Sequence, residues 1–90
     1  MSFDDDSVDA VVRQANDTIY GLAASVFTKD VSVAHHVARR LKAGTIGVNT
    51  HHVLDVALPF GGFKQSGWGR EMAYEALELY METKSVGVAL

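Results

Sequence analysis

The sequence predicts an α/β fold, with helices packed against a largely parallel sheet. Two observations point there. The runs LAASVFT (Leu22–Thr28) and TIGVN (Thr45–Asn49) are short, apolar and without helical period, as buried strands are. Segments with apolar residues at helical spacing stand before, between and after them. Strands alternating with helices build βαβ units, and right-handed crossovers place the helices on the sheet.

The first helix follows from Val8, Val11, Val12, Ala15 and Ile19, one face at i, i+3, i+4, i+7 and i+11. Asp4, Asp5, Asp6 and Ser7 supply its cap and first-turn negative charge, and Asn16, Asp17 and Gly21 mark its end. Asp30 caps a second helix with the stripe Ala34, Val37, Ala38 and Leu41, and Gly44 is placed to end it in a left-handed conformation. After Asn49 the period is lost for about twenty residues, Thr50 to Gly69, and a loop that long in a small domain is usually functional. The third helix has an apolar stripe of Ala73, Ala76, Leu77 and Tyr80 and a charged face of Glu71, Glu75, Glu78 and Glu82. SVGVAL closes the chain as a strand with Val86, Val88 and Leu90 on one side and Ser85, Gly87 and Ala89 on the other. Nothing after it can be its neighbour.

Ninety residues suit one small domain or part of a larger one. A net charge of −3 argues against a nucleic-acid or anionic-membrane partner. The one basic cluster, Arg39, Arg40 and Lys42, complements a helix C-terminus. There is no cysteine, hence no disulfide framework, thiolate metal site or cysteine nucleophile in this chain. No apolar run approaches the roughly 20 residues that span a bilayer, and MSFDDDS is not a secretory signal. A cytoplasmic protein is expected.

The chemistry-bearing motifs centre on LPFGGFKQSGWGRE, Leu58 to Glu71, which holds four of the eight glycines. Gly62 and Gly67 have P-loop spacing, but Trp68 and Gly69 stand where Lys and Ser/Thr must be. A dinucleotide fingerprint starts at Gly67 and Gly69 but meets Met72. The better reading is a long loop folded over itself, with Phe60, Phe63 and Trp68 packing inward or lining a cavity. His35 and His36 on a helix, and His51 and His52 after a strand, diverge and make no metal site. Ser66 lacks a nucleophile elbow. Arg70 near the start of the third helix and Glu82 near its end both oppose the helix dipole and are too far apart to pair, about 18 Å. Antiparallel packing of two copies would bring them together.

The ordered set DSVDAVVRQANDTIYGLAASVFTKD, LKAGTIGVNT, LPFGGFKQSGWGRE and YMETKSVGV closely resembles the C-terminal end of NAD(P)-dependent aldehyde dehydrogenases, over essentially the whole chain. The combination NTHHVLDVALPFGG looks most like enzymes for phenylacetaldehyde or betaine-type aldehydes. The resemblance implies that residues 1–84 are the C-terminal part of the catalytic domain and 85–90 an oligomerisation strand. It implies that Phe60 is an aromatic wall of the aldehyde pocket, that His52 and Leu54 shape it, and that Asn49 buttresses the strand end below the catalytic loop. Arg70, Glu82, Val86, Val88 and Leu90 fall at the family's subunit interface, so a homo-oligomer through the terminal strand and third helix is expected. The family's cysteine nucleophile, general-base glutamate, oxyanion site and NAD or NADP domain lie upstream, as does an E-x-F-G-P segment that would directly precede Met1. The chain therefore resembles a fragment: a truncated gene product, an internal start or a piece of a split enzyme. Inactive alone, it is expected to bind no cofactor and no metal and to hold no catalytic residue. The competing readings are a stand-alone oligomerisation and interaction module and a non-functional truncated product. Exposed strand edges predict self-association.

Overall fold

The computed structural model describes residues 2–4 and 7–90. The valine spacing produces helix α1, Val8–Asn16, with Val12 buried and Val8 and Val11 half-buried. Ile19 lies beyond the helix end and is 63 % exposed, so the expected stripe is one turn too long. Its physical stop is Asn16, whose side chain turns to the end of the next helix instead of continuing this one. Ser7 makes no side-chain cap; its hydroxyl bonds back to Asp4. The cap assignments to Asp5 and Asp6 lie outside the described residues.

Strand β1, Ala23–Val26, pairs in parallel with β2, Thr45–Val48, in the register Ala23↔Thr45 to Val26↔Val48. Helix α2, Val31–Arg40, is the crossover between them, which completes the expected βαβ unit. Asp30 begins α2 as expected: its Oδ1 accepts from the backbone N–H of Ser32 at 2.8 Å and of Val33 at 3.2 Å. These bonds satisfy two of the orphan donors of the first turn. Helix α2 packs on both strands and on α1. The core is small: Val12, Val26 and Val37, with Phe3, Val8, Val33 and Leu41 around them. Ala34 is also buried.

Three expectations need correction. The strands are not buried throughout, because two strands leave both outer edges of the sheet open; Leu22 and Phe27 are exposed. Gly44 is not left-handed, since Gly67 is the one glycine with positive φ among the described residues. Helix α2 ends instead at an extended Leu41, and Gly44 is needed for close approach: a methyl there would overlap the carbonyl of Gly61. The third helix, α3, spans only Ala73–Glu78 and buries no side chain. Tyr80 falls outside it and is 91 % exposed. Residues 81–90 form no regular structure here, because a strand needs a neighbour and none is supplied. The radius of gyration is accordingly 17.8 Å, against about 12 Å for a compact chain of this length.

Asp9 of α1 and Arg40 of α2 form an ion pair that ties the two helices. The hydrogen bond from Arg40, then its charge, holds the Asp9 carboxyl below the usual carboxylate range. A depressed folded-state pKa gives stability that is present above the unfolded value and lost as pH falls through the folded one. Asp9→Asn should therefore lower stability slightly at neutral pH and leave it unchanged in acid, which flattens the acid limb; the loss is small because the pair is exposed. Urea unfolding followed by circular dichroism between acid and neutral pH checks this. The same measurement on Asp30→Ala should show a loss of about 1 kcal/mol from the missing cap.

Candidate functional site

The glycine-rich segment is built as two docked arms. The first arm clips onto the connection between α1 and β1. Phe63 N–H donates to the Gly21 carbonyl at 2.8 Å, and Gln65 N–H donates to that of Ile19 at 2.8 Å. The Ser66 hydroxyl accepts from Gly21 N–H at 2.9 Å. A single 3-10 turn, Lys64–Ser66, shapes this arm, and Gly67 leaves it at φ 109°. Lys64 Nζ donates to the carbonyls of Asn16 at 2.8 Å and Thr18 at 3.0 Å. These carbonyls lie at and just past the C-terminus of α1, where a cation also meets the negative end of the helix dipole.

The second arm closes the segment on itself. Phe60 and Glu71 pair as an antiparallel bridge, with N–H to carbonyl distances of 2.7 and 2.6 Å. Arg70 Nη1 donates to the Gly62 carbonyl at 3.0 Å and the Gly69 carbonyl at 2.8 Å. Its guanidinium carbon lies 5.6 Å from the centre of the Phe63 ring, within cation–π range. Beside this arm opens a cleft of about 330 Å³, lined by Ile46 of β2 and by Leu54, Asp55, Leu58, Phe60 and Arg70.

The sequence-predicted residues separate into groups. Phe60 and Leu54 meet in the cleft. His52 does not join them: with φ 59° it stacks on His51, ring centroids 4.1 Å apart. His51 in turn shares a hydrogen bond of 3.1 Å with Ser25 of β1. The side chain of Asn49 accepts from Thr28 N–H at 2.8 Å, and its backbone N–H donates to the Val26 carbonyl, so it ties the ends of β1 and β2. Trp68, expected to pack inward, is 98 % exposed, while Phe63 is covered on one face by Arg70. Arg70 precedes α3, with Met72 as the cap position, and Glu82 follows its end. The dipole argument for these two charges therefore loses its premise. Val86, Val88 and Leu90 are exposed.

Two positions were missed as organisers. Asn16 was read only as a helix end, yet its amide donates to the Arg40 carbonyl and accepts from Lys42 N–H, both at 2.8 Å, joining the ends of α1 and α2. Lys64 is not singled out by the sequence at all. An asparagine at a helix end is the signal that was available for Asn16; nothing local marks Lys64, whose partners lie 46 and 48 residues away.

Phosphate binding does not fit this loop. Lys64 is committed to two carbonyls, Arg70 to two more, and the bound backbone N–H groups point at the protein. The loop thus does not fit the phosphates of a nicotinamide dinucleotide. Among the described residues no group of three or more His, Asp or Glu is arranged to hold a metal, and no helix is long and apolar enough to cross a membrane.

Comparison with known proteins agrees with the arrangement. The model of the aldehyde dehydrogenase family matches residues 1–86. Cytosolic 10-formyltetrahydrofolate dehydrogenase of Xenopus tropicalis is 54 % identical over 86 residues, 96 % of this chain and 10 % of that protein. The NAD+ complex of an aldehyde dehydrogenase from Bacillus cereus superposes with a TM-score of 0.87 at 48 % identity, covering 96 % of this chain and 17 % of the other. A mutant indole-3-acetaldehyde dehydrogenase of P. syringae, in complex with NAD+ and IAA, gives 0.88 at 46 % identity, covering all of this chain and 18 % of the other. The chain thus spans less than a fifth of the length of these relatives.

The approach of Gly44 to Gly61 is the closest link between β2 and the loop. Gly44→Ala should push the loop off the strand at a cost of about 1–3 kcal/mol, as overpacking does. Faster hydrogen exchange at the Phe63 and Gln65 amides, beside a lowered urea midpoint, is the expected readout.

Proposed function

The chain belongs to the aldehyde dehydrogenase family, and from that membership we propose that it forms the C-terminal part of a catalytic domain that oxidises an aldehyde to a carboxylic acid with NAD(P). Its own share is one wall of the aldehyde pocket and part of the subunit interface. The observation that carries this reading is the cleft in which Phe60 and Leu54 converge on β2. Apolar and aromatic walls of this kind bury the organic part of a ligand and leave its polar end to other groups. An arylacetaldehyde fits such a wall best, and a solved relative bears the name of an indole-3-acetaldehyde enzyme. Asn49 holds the ends of β1 and β2 together, and Val53, next to His52, lines the cleft.

Oxidation of an aldehyde in this family calls for a thiolate nucleophile and a base to activate water. These ninety residues contain no cysteine, so no reaction step is assigned to them. They orient the substrate and exclude water while other parts of the enzyme supply the nucleophile and the hydride acceptor. Subunit contact is assigned to 85–90, where Val86, Val88 and Leu90 present an unpartnered apolar edge, and to Arg70 and Glu82. Both Arg70 bonds use Nη1, so Nη2 and Nε are left for Glu82 of a second copy. The same exposed edge favours a second reading, an interaction module that captures full-length subunits; a pull-down against a full-length relative tests that. A cytoplasmic location belongs to this proposal.

The test is a graft of residues 1–86 in place of the matching segment of the Bacillus cereus enzyme. Phe60→Ala in that enzyme should raise KM for phenylacetaldehyde about tenfold, the worth of one to two lost apolar contacts, and leave KM for NAD+ unchanged. An unaltered KM for phenylacetaldehyde rejects the pocket assignment. The isolated chain should produce no NADH from the same aldehyde.

A further inference from the structure

Resting on the pocket reading above, we propose that Arg70 is a positioning residue that sets the place of the Phe60 wall and thereby the enzyme's preference for ring-bearing aldehydes. The Phe60 backbone is held by the paired N–H and carbonyl bonds to Glu71. That pair closes a ring of chain from Phe60 to Glu71. Arg70 reaches across the inside of the ring, two residues past Phe60 on one side and one before itself on the other, and bonds both carbonyls. The spacing between the two strands of the ring is thus fixed at two adjacent levels, once by the Phe60–Glu71 pair and once by Arg70.

Three further observations place Arg70 in this role. A Cβ added at Gly61 would lie 2.7 Å from Arg70 Cδ and 2.9 Å from Nη1, so the side chain lies directly across the glycine that follows Pro59 and Phe60. Its guanidinium also covers the Phe63 ring, the first residue of the other docked arm. And Arg70 lines the same cleft as Phe60 and Leu54. Its charge is not used for an ion pair within the chain: among the described residues the one salt bridge is that of Asp9 and Arg40. Both carbonyl bonds leave from Nη1 while the guanidinium carbon lies over the Phe63 ring, so one planar group meets two oxygens and an aromatic face together. An ammonium can bond two carbonyls, as Lys64 does, but has no plane to lay on a ring.

Arg70→Lys in the grafted enzyme keeps the charge and loses the planar group over the Phe63 ring. The expected result is a KM for phenylacetaldehyde raised about tenfold, since small displacements of a positioning group cost one to two orders of magnitude. The loss should be larger with phenylacetaldehyde than with acetaldehyde, which is too short to reach the ring wall. Amide exchange at Phe60 and Glu71 should quicken, with Thr45 unaffected. The double variant Phe60→Ala, Arg70→Lys should be no worse with phenylacetaldehyde than Phe60→Ala alone, because Arg70 acts through Phe60. Equal losses for both aldehydes, or unaltered exchange at Phe60 and Glu71, would overturn the assignment. If Phe60→Ala shifts the ring preference and Arg70→Lys does not, this inference fails alone; if Phe60→Ala does nothing, the pocket reading fails with it.

Discussion

The peptide group of Gly21 is the constraint on which the rest of the structure depends. Its carbonyl accepts two hydrogen bonds, from Gly44 N–H at 3.0 Å and Phe63 N–H at 2.8 Å, and its N–H donates to the Ser66 hydroxyl. The Gly44 bond sets the start of the β1–β2 pairing. The Phe63 bond and the Ser66 hydroxyl pin the glycine-rich loop to the same point. Gly21 is buried, and a side chain there would run into the Lys42 carbonyl. A backbone group with every donor and acceptor engaged, in a place that admits no Cβ, locks the entry to the sheet and the loop that bears the cleft into one unit.

Around that unit the apolar contribution is small. Four hydrophobic residues are buried among those described, while Leu22, Phe27, Leu54, Trp68 and most of the last eleven residues face solvent. The parallel pair is covered on one face by α1 and α2 and has two open edges. Order in this chain therefore depends more than usual on directed hydrogen bonds: the Asp30 cap, the Asn16 bridge between helix ends and the Asn49 tie between strand ends. Exposed aliphatic and aromatic side chains on this scale are what contact surfaces present, and the subunit contact proposed above would cover part of them.

The two cations of the loop divide its work. Lys64, a point charge on a flexible stem, reaches back to the carbonyls at the end of α1 and fixes where the loop sits. Arg70, a planar fork, works within the loop and fixes its width. Lys64 is committed to the end of α1 and Arg70 Nη1 to the loop's own carbonyls. The glycines of a segment with the look of a phosphate cradle instead allow backbone to approach backbone, at Gly44 with Gly61, and side chain to cross backbone, at Gly61 with Arg70.

Much of this was legible in the sequence by itself. Periodicity located α1, β1, α2 and β2 in order, Asp30 announced its helix, and the motif blocks from YGL to GRE identified the family and marked Phe60, His52 and Leu54, of which Phe60 and Leu54 line the cleft. These signals are local, read over a few residues along the chain. Where α1 stops, why Gly44 is glycine, how short α3 is and what Arg70 and Lys64 do were decided by tertiary structure, because each depends on a partner brought close by folding. Ile19 keeps the helical spacing, yet Asn16 bonds to α2 and ends the helix. Arg70 reads as a misplaced helix charge, yet its guanidinium is drawn to a carbonyl eight residues back. A pattern of residue types specifies which element forms, while the bonds between elements specify where it ends and which side chains it frees for function.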